Sequence, residues 1–287
     1  MRKRRRIIFI AIVVALAFGG LVLAHIARGA EVPDESRTAW LESTLIAHKG
    51  LHNDAEGIAE NSLSAFAEAM EQGYIIELDV SLTKDSQLVV FHDKKLKRLF
   101  GSDAYLKDTT YQELSEFTFQ NSNETVPLFS EVLSFVNGEA PLLIEIKNEG
   151  DVGDMERMIY EELKDYQGLY AVQSFNPYTL KWFRENAPDV LRGQLSGSFI
   201  ISDYEVEYAG TTRLPWYKKF LLSNLLLNFE SKPNFISYEI KNTDIDTFVS
   251  LKKLGVRILG WTIETKEEYQ RVKDYFDNFI VDTVDIE

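Results

Sequence analysis

Residues 75–92 read IIELDVSLTKDSQLVVFH, and the short connection inside that stretch decides the fold. Both ends are apolar runs of strand character, IIELDV at 75–80 and LVVFH at 88–92. Only seven residues, SLTKDSQ, separate them. A parallel crossover needs about a dozen residues or more, so the second run must return antiparallel, turning at Lys84-Asp85-Ser86-Gln87. Further strand-like runs lie at 44–48 (TLIAH), 142–147 (LLIEIK), 169–173 (LYAVQ), 190–195 (VLRGQL), 235–238 (FISY), 257–262 (RILGWT) and 279–281 (FIV). Helical patterns near 61–70, 128–136, 154–165, 177–186, 243–253 and 266–276 alternate with most of them. Asn61 is the expected cap of the first helix and Gly73 its stop. Of these nine strands, the hairpin strand at 88–92 stands apart. The other eight fit a closed (β/α)8 TIM barrel of the α/β class.

The chain has 287 residues, 45% of them hydrophobic, a net charge of −14, no cysteine and four histidines. That length suits one large domain, and that apolar content excludes a disordered chain. The lack of cysteine excludes a disulfide scaffold, a cysteine nucleophile and thiolate metal sites. An acidic balance argues against a nucleic-acid partner, since phosphate backbones need a basic face.

The charge is unevenly spread. Residues 1–30 hold six basic residues (Arg2, Lys3, Arg4, Arg5, Arg6 and Arg28) and no acidic one, which leaves a net −20 on residues 31–287. Residues 7–24, IIFIAIVVALAFGGLVLA, carry no charge. A run of that length is long enough to cross a bilayer, and flanking arginines keep their end cytoplasmic. The competing reading is a cleaved secretory signal, with small residues at Ala27–Ala30 to allow cleavage. Signal apolar regions are shorter, about 7–15 residues, so length favours an uncleaved anchor. The expected organisation is a cytoplasmic basic tail at 1–6, a transmembrane signal-anchor at 7–26, a linker at 27–43 and a barrel domain at 44–287. The barrel would then face the outside of a single-pass membrane protein, or be secreted if the anchor is cut.

The ionisable residues gather at strand ends. His48 closes the first strand, Glu77 and Asp79 share one face of the second, and His92-Asp93 follows the hairpin strand. Glu145 and Lys147 share a face near the end of 142–147, and Gln173 ends the next strand. Barrel enzymes work at the C-terminal ends of their strands. Charge inside runs such as IIELDV and LLIEIK is costly unless paired or metal-bound. Glu77, Asp79 and Glu145 therefore form a candidate site for a hard cation, Ca²⁺ or Mg²⁺. A structural ion-pair network with Lys147 is the competing account of the same residues.

The run from AHKG at 47–50 through ENSLSAFAEAMEQGYIIELDVSLTKDSQLVVFHDKKLKR, ending at Arg98, resembles the glycerophosphodiester phosphodiesterase family. That family carries a His-Arg-Gly turn, then Glu-Asn-Thr, Glu-x-Asp-Val, and His-Asp followed by Leu and Arg. The counterparts are His48-Lys49-Gly50, Glu60-Asn61-Ser62, Glu77-Leu78-Asp79-Val80 and His92-Asp93, with Leu96 and Arg98 beyond. Glu145-Ile146-Lys147, Gln173-Ser174-Phe175, Trp261-Thr262-Ile263 and Phe279-Ile280-Val281-Asp282 match later motifs, so the resemblance spans about 44–283. It implies a (β/α)8 barrel that hydrolyses glycerophosphodiesters to glycerol 3-phosphate and an alcohol. It also implies His48 and His92 as general acid and base, and Glu77, Asp79 and Glu145 as ligands of a divalent cation. Lys49 and Lys147 would meet the phosphate, with Gln173 and Trp261 also on the substrate. One scheme it implies has the glycerol 2-hydroxyl attack first, giving a cyclic phosphate that water opens.

Some positions depart from that pattern or admit a plainer role. Lys49 stands where the family has arginine, keeping the charge but losing the planar bidentate fork. His52 is read as an exposed loop residue, and Glu60-Asn61 equally as ligand contacts or helix cap. Trp261 either floors the glycerol pocket or packs the barrel mouth. Residues 214–229, LPWYKKFLLSNLLLNF, fall outside every motif. They read as an ordinary barrel helix packed on strands, with a membrane-surface helix as the alternative. The substrate is thus a small-molecule or lipid-derived phosphodiester. The rival readings are a phospholipase D-like enzyme on lysolipids or sphingolipids, and a non-catalytic module that binds glycerophosphoryl groups.

Overall fold

The computed structural model describes residues 29–282 apart from 121 and 149, together with the single positions 6, 13, 19 and 20. Eight parallel strands close on themselves: β1 (Ile46–Ala47), β2 (Ile75–Leu82), β4 (Leu142–Ile146), β5 (Tyr170–Ser174), β6 (Leu191–Ser196), β7 (Phe235–Glu239), β8 (Arg257–Ile263) and β9 (Asn278–Val281). Closure is made by β1, which pairs with β2 on one side and β9 on the other. The ninth strand, β3 (Leu88–Val90), lies antiparallel on β2 with Val80 opposite Val90 and Leu82 opposite Leu88. Its turn is fixed locally: Thr83 N donates to Gln87 O at 3.0 Å, and Thr83 Oγ1 donates to Asp85 at 2.7 Å. The barrel expected from residues 75–92 is the one observed.

Helices Leu63–Glu71, Phe129–Val136, Asp154–Leu163, Pro177–Asn186, Ile245–Lys252 and Lys266–Val272 cover the outside. The first begins one residue later than expected, with Ser62 as its cap, accepting from Ala65 N. Asn61 has φ 56° and its side chain is drawn inward to Asp79, so it is not free to cap. The first strand is also shorter than 44–48, because the chain turns at Lys49 (φ 55°) and Gly50 (φ 76°). A Cβ on Gly50 would lie 2.8 Å from that of Ala65, so the turn can close on the helix only with glycine there.

Alternation along the strands builds two unlike layers inside the barrel. Ile46, Ile75, Leu143, Ala171, Leu191, Phe235, Leu259 and Ile280 form one buried apolar cluster, which floors the interior. Two residues further along six of those strands stand His48, Glu77, Glu145, Gln173, Ser237 and Asp282. Period two therefore places the polar layer directly above the apolar one. The ring of Phe235 fills the space beside Gly193, where a Cβ would come within 2.1 Å of it. The residues between, such as Ile76, Leu78, Ile144 and Val172, point outward into a second cluster with Phe66, Phe129, Ile159 and Phe183 of the helices.

Residues preceding β1 lie against the barrel floor. Leu41 is buried, Asn278 Nδ2 donates to Leu41 O at 2.7 Å, and Arg257 pairs with Glu42. Among the described residues no helix is long and apolar enough to cross a membrane. The segment expected to do so, 7–26, lies almost wholly outside the described residues. Residues 214–229, expected as a barrel helix packed on strands, hold instead a helix at Trp216–Ser223 with no buried side chain; only Leu225 and Asn228 beyond it are buried, Leu225 in the cluster with Ile236 and Ile258.

Candidate active site

Strand register brings the acids together. Asp79 on β2 lies directly opposite Glu145 on β4, and Glu145 opposite Gln173 on β5. Glu77, Asp79 and Glu145 are all buried, and each offers an oxygen within 4.8 Å of the others. Lys147 Nζ reaches this group, 2.8 Å from Glu145 and 3.4 Å from Asp79. Gln173 Nε2 donates to Glu77 at 3.3 Å, and its own oxygen accepts from Ser237 Oγ at 2.8 Å. Lys49 N donates to Glu77 Oε2 at 3.0 Å, while Asn61 holds Asp79 through both its backbone N and its Oδ2.

Three carboxylates against one ammonium leave excess negative charge in a buried place. Burial pushes Glu77 well above the ordinary glutamate range, and Asp79 and Glu145 beside it push further. Burial raises Glu145 too, with Lys147 pulling the other way. For Asp79 burial opposes the charge, but Lys147, His92 and Lys49 outweigh it and hold the carboxyl low. Its Oδ1 is buried without a hydrogen bond and has only the Lys147 ammonium at 3.4 Å. A crowded all-oxygen group with a carboxylate oxygen unmet by any hydrogen bond fits a hard divalent cation.

The two histidines flank these acids, and each is gripped by a carboxylate. His48 Nδ1 lies 2.5 Å from Asp282 Oδ1, and His92 Nδ1 lies 2.7 Å from Asp93 Oδ1. That engagement orients each ring and leaves its Nε2 for other work. Partial burial of the ring, with Lys147 and Lys49 nearby, lowers the His92 pKa to about 4 and favours its neutral form. Asp282 is held well below the usual carboxylate range: burial opposes its charge, but His48 and then His52 dominate.

Sequence reading missed several members of this set. Asp282 ends the last strand as His48 follows the first, a placement that strand counting alone could have flagged. His52, read as an exposed loop residue, is half-buried with Nε2 at 3.5 Å from the same Asp282. Glu60 neither caps a helix nor stands open. Arg98 forks onto it at 2.5 and 2.7 Å, and Lys49 Nζ lies 3.1 Å away. Arg98 also holds Asp93 at 2.7 Å, so Lys49, Glu60, Arg98, Asp93 and His92 form one connected chain. Trp261 lies at the mouth with its ring 5.6 Å from that of Phe175, which also meets Phe199 at 5.7 Å. The Trp261 Nε1 is buried without a partner.

Known proteins resemble this chain over most of its length. Residues 48–286 match the model of the glycerophosphoryl diester phosphodiesterase family. The chain is 27% identical to a glycerophosphodiester phosphodiesterase of Caldanaerobacter subterraneus, over 84% of this chain and 95% of that one. It is 33% identical to the lysophospholipase D GDPD1 of Rattus norvegicus, over 81% and 80% of the two chains. Among solved structures it is similar in fold to an Oleispira antarctica phosphodiesterase in complex with the product sn-glycerol-3-phosphate. The TM-score is 0.66, with 23% identity and coverage of 83% of this chain and 92% of that one.

Proposed function

The chain belongs to the glycerophosphoryl diester phosphodiesterase family and is a phosphodiesterase; we propose that it is membrane-anchored and cation-dependent, and that it releases glycerol 3-phosphate and an alcohol outside the cell. The observation that carries this reading is the convergence of three buried carboxylates and two carboxylate-held histidines at one barrel mouth. A phosphodiester repels nucleophiles by its own charge. A divalent cation on Glu77, Asp79 and Glu145 would supply Lewis-acid neutralisation of that charge, with Ca²⁺ and Mg²⁺ both suited to the oxygen donors. Lys147 adds a fixed positive charge beside the phosphate.

His48 and His92 divide the proton work. One takes the proton of the attacking hydroxyl and the other returns one to the leaving alcohol oxygen. A neutral His92 suits the accepting role. Asp282 and Asp93 are positioning residues, fixing each ring through Nδ1. Gln173, buried and itself held by Ser237, supports Glu77 through its amide, and Trp261 with Phe175 gives an apolar wall to the glycerol carbons. The uncharged run 7–24 behind five basic residues supports a cell-membrane location with the barrel outside.

A second reading, phospholipase D-like action on lysolipids, is favoured by the similarity to the rat lysophospholipase D. Hydrolysis of glycerophosphocholine, glycerophosphoethanolamine and lysophosphatidylcholine by the full chain in detergent separates the two. Each is assayed with Ca²⁺, with Mg²⁺ and with EDTA, and His92→Ala serves as blank. Metal-dependent release of glycerol 3-phosphate from the small diesters supports the first reading. Turnover only of the acylated substrate supports the second. No turnover of any substrate by folded protein overturns both and leaves a binding module.

A further inference from the structure

The connection between β6 and β7, residues 197–234, carries an apolar surface that neither the barrel nor the site uses. Its helix Trp216–Ser223 has no buried residue, and Trp216, Phe220 and Tyr217 are 80%, 54% and 49% exposed. Ile200, Tyr204 and Phe229 in the same connection are exposed as well. Together these are six of the fourteen exposed large hydrophobic side chains among the described residues. The helix is held to the barrel through its backbone: Ser196 Oγ donates to Leu222 O at 2.8 Å, and Tyr238 Oη donates to Ser223 O at 2.8 Å. Fastened in this way, it has no need to turn its aromatics inward.

Two further observations say what covers them. First, the chain arriving from the N-terminal side meets the barrel on this same connection. Glu31 N donates to Pro233 O at 3.0 Å, Asn234 Nδ2 donates to Glu31 O at 2.8 Å, and Arg192 pairs with Glu31 at 2.8 Å. Ala30 packs against the cluster that contains Leu225 and Ile236. The uncharged run 7–24 therefore ends only a few residues before this flank. Second, Lys218, Lys219 and Lys232 accompany the aromatics, and none of them is in an ion pair among the described residues. On a body of net charge −20 from residue 31 onward, residues 197–234 balance Asp203, Glu205, Glu207 and Glu230 with Arg213, Lys218, Lys219 and Lys232, so an anionic bilayer repels this connection less than the rest, and least at the lysine-bearing helix.

We infer that the β6–β7 flank rests on the lipid bilayer, with Trp216, Tyr217 and Phe220 at the headgroup–acyl boundary and the lysines on anionic headgroups. Aromatic rings with a polar tip favour that boundary, and short basic-aromatic helices lie in its plane. The inference rests on the proposed membrane anchoring and adds the face by which the barrel lies on the membrane.

The absence of cysteine makes the test direct. The full chain is placed in phosphatidylcholine–phosphatidylglycerol nanodiscs with a fluorescent probe on Tyr217→Cys. A second sample carries the probe on Glu71→Cys, at the end of helix Leu63–Glu71, across the barrel by strand order. Doxyl-labelled lipid should quench the first probe several-fold more than the second. Quenching should weaken when phosphatidylcholine replaces phosphatidylglycerol, and likewise in a Lys218→Glu, Lys219→Glu background. Equal quenching at both positions overturns the inference. So does a Tyr217→Cys signal that depends on protein concentration and not on quencher, which would indicate a second copy. Glycerophosphocholine hydrolysis by the same samples keeps the readings apart. Turnover without differential quenching sinks the docking alone, and differential quenching without turnover sinks the hydrolase reading alone. Protein that does not stay with the nanodiscs overturns the anchor and the docking together.

Discussion

Two long excursions rise from the barrel, residues 93–128 after the hairpin and residues 197–234 after β6, and they use their aromatics in opposite ways. The first folds into a closed core of its own. Leu96, Leu106, Leu114, Phe119 and Val126 are buried together against Phe91 at the end of the hairpin strand, with the Phe100 ring stacked 5.9 Å from Phe91 and tilted at 5.4 Å from Phe119. The second turns Trp216, Tyr217 and Phe220 to the outside. The two meet over the mouth, where Lys94 N and Lys95 N donate to Ala209 O at 2.9 and 3.1 Å. Aromatic content alone thus says nothing about role. What separates them is whether other described residues cover the rings, and the excursion left uncovered among them is the one proposed to meet an external surface.

The largest effect is expected where the first excursion meets the chemistry. His92→Ala should lower kcat by roughly 10²–10⁴-fold, the usual worth of a positioned acid or base. Thermal unfolding should be little changed, since the ring is partly exposed. Steady-state hydrolysis of glycerophosphocholine beside a melting curve checks both. Next comes Phe119→Ala, which removes a buried ring from the closed core and should cost about 3–5 kcal/mol of stability by denaturant unfolding.

Glu60→Gln probes the link between that excursion and the site, because Arg98 and Lys49 both hold Glu60. Burial opposes its charge, yet Lys49 and Arg98 keep it well below the ordinary glutamate value. A carboxyl lowered in the folded state gives stability that is full above its unfolded pKa, about 4.3, and is lost as pH falls below it. The variant should lose about 3 kcal/mol at neutral pH, as for breaking a buried pair. Its stability should also fall less steeply below about pH 4. The smallest effect is expected at Trp216→Ala, within about 0.5 kcal/mol in detergent, because no packed core is opened. A loss like that of Phe119→Ala would erase the contrast between the two excursions.

The barrel was legible because one short connection forced a hairpin and the remaining strands alternate with helices. The acids were legible because Glu77, Asp79 and Glu145 interrupt runs that are otherwise apolar. Other features carried no local signal. Asn61 reads as a helix cap until Asp79, eighteen positions on, claims its side chain. Asp282 is unremarkable in sequence, since its partner His48 lies 234 positions away. The helix at Trp216–Ser223 shows the general limit: an apolar pattern announces a sticky face but not whether anything in the same chain will cover it.

The His48–Asp282 contact also bears on how the molecule comes to life. This contact joins the first strand of the barrel to the end of the last, so a chain lacking β9 keeps Glu77, Asp79 and Glu145 and still leaves His48 ungripped. Such a distant pairing forms late, after much loop entropy has been lost. Enzymatic turnover would then report ring closure, and the protein would stay silent until β9 has paired with β1.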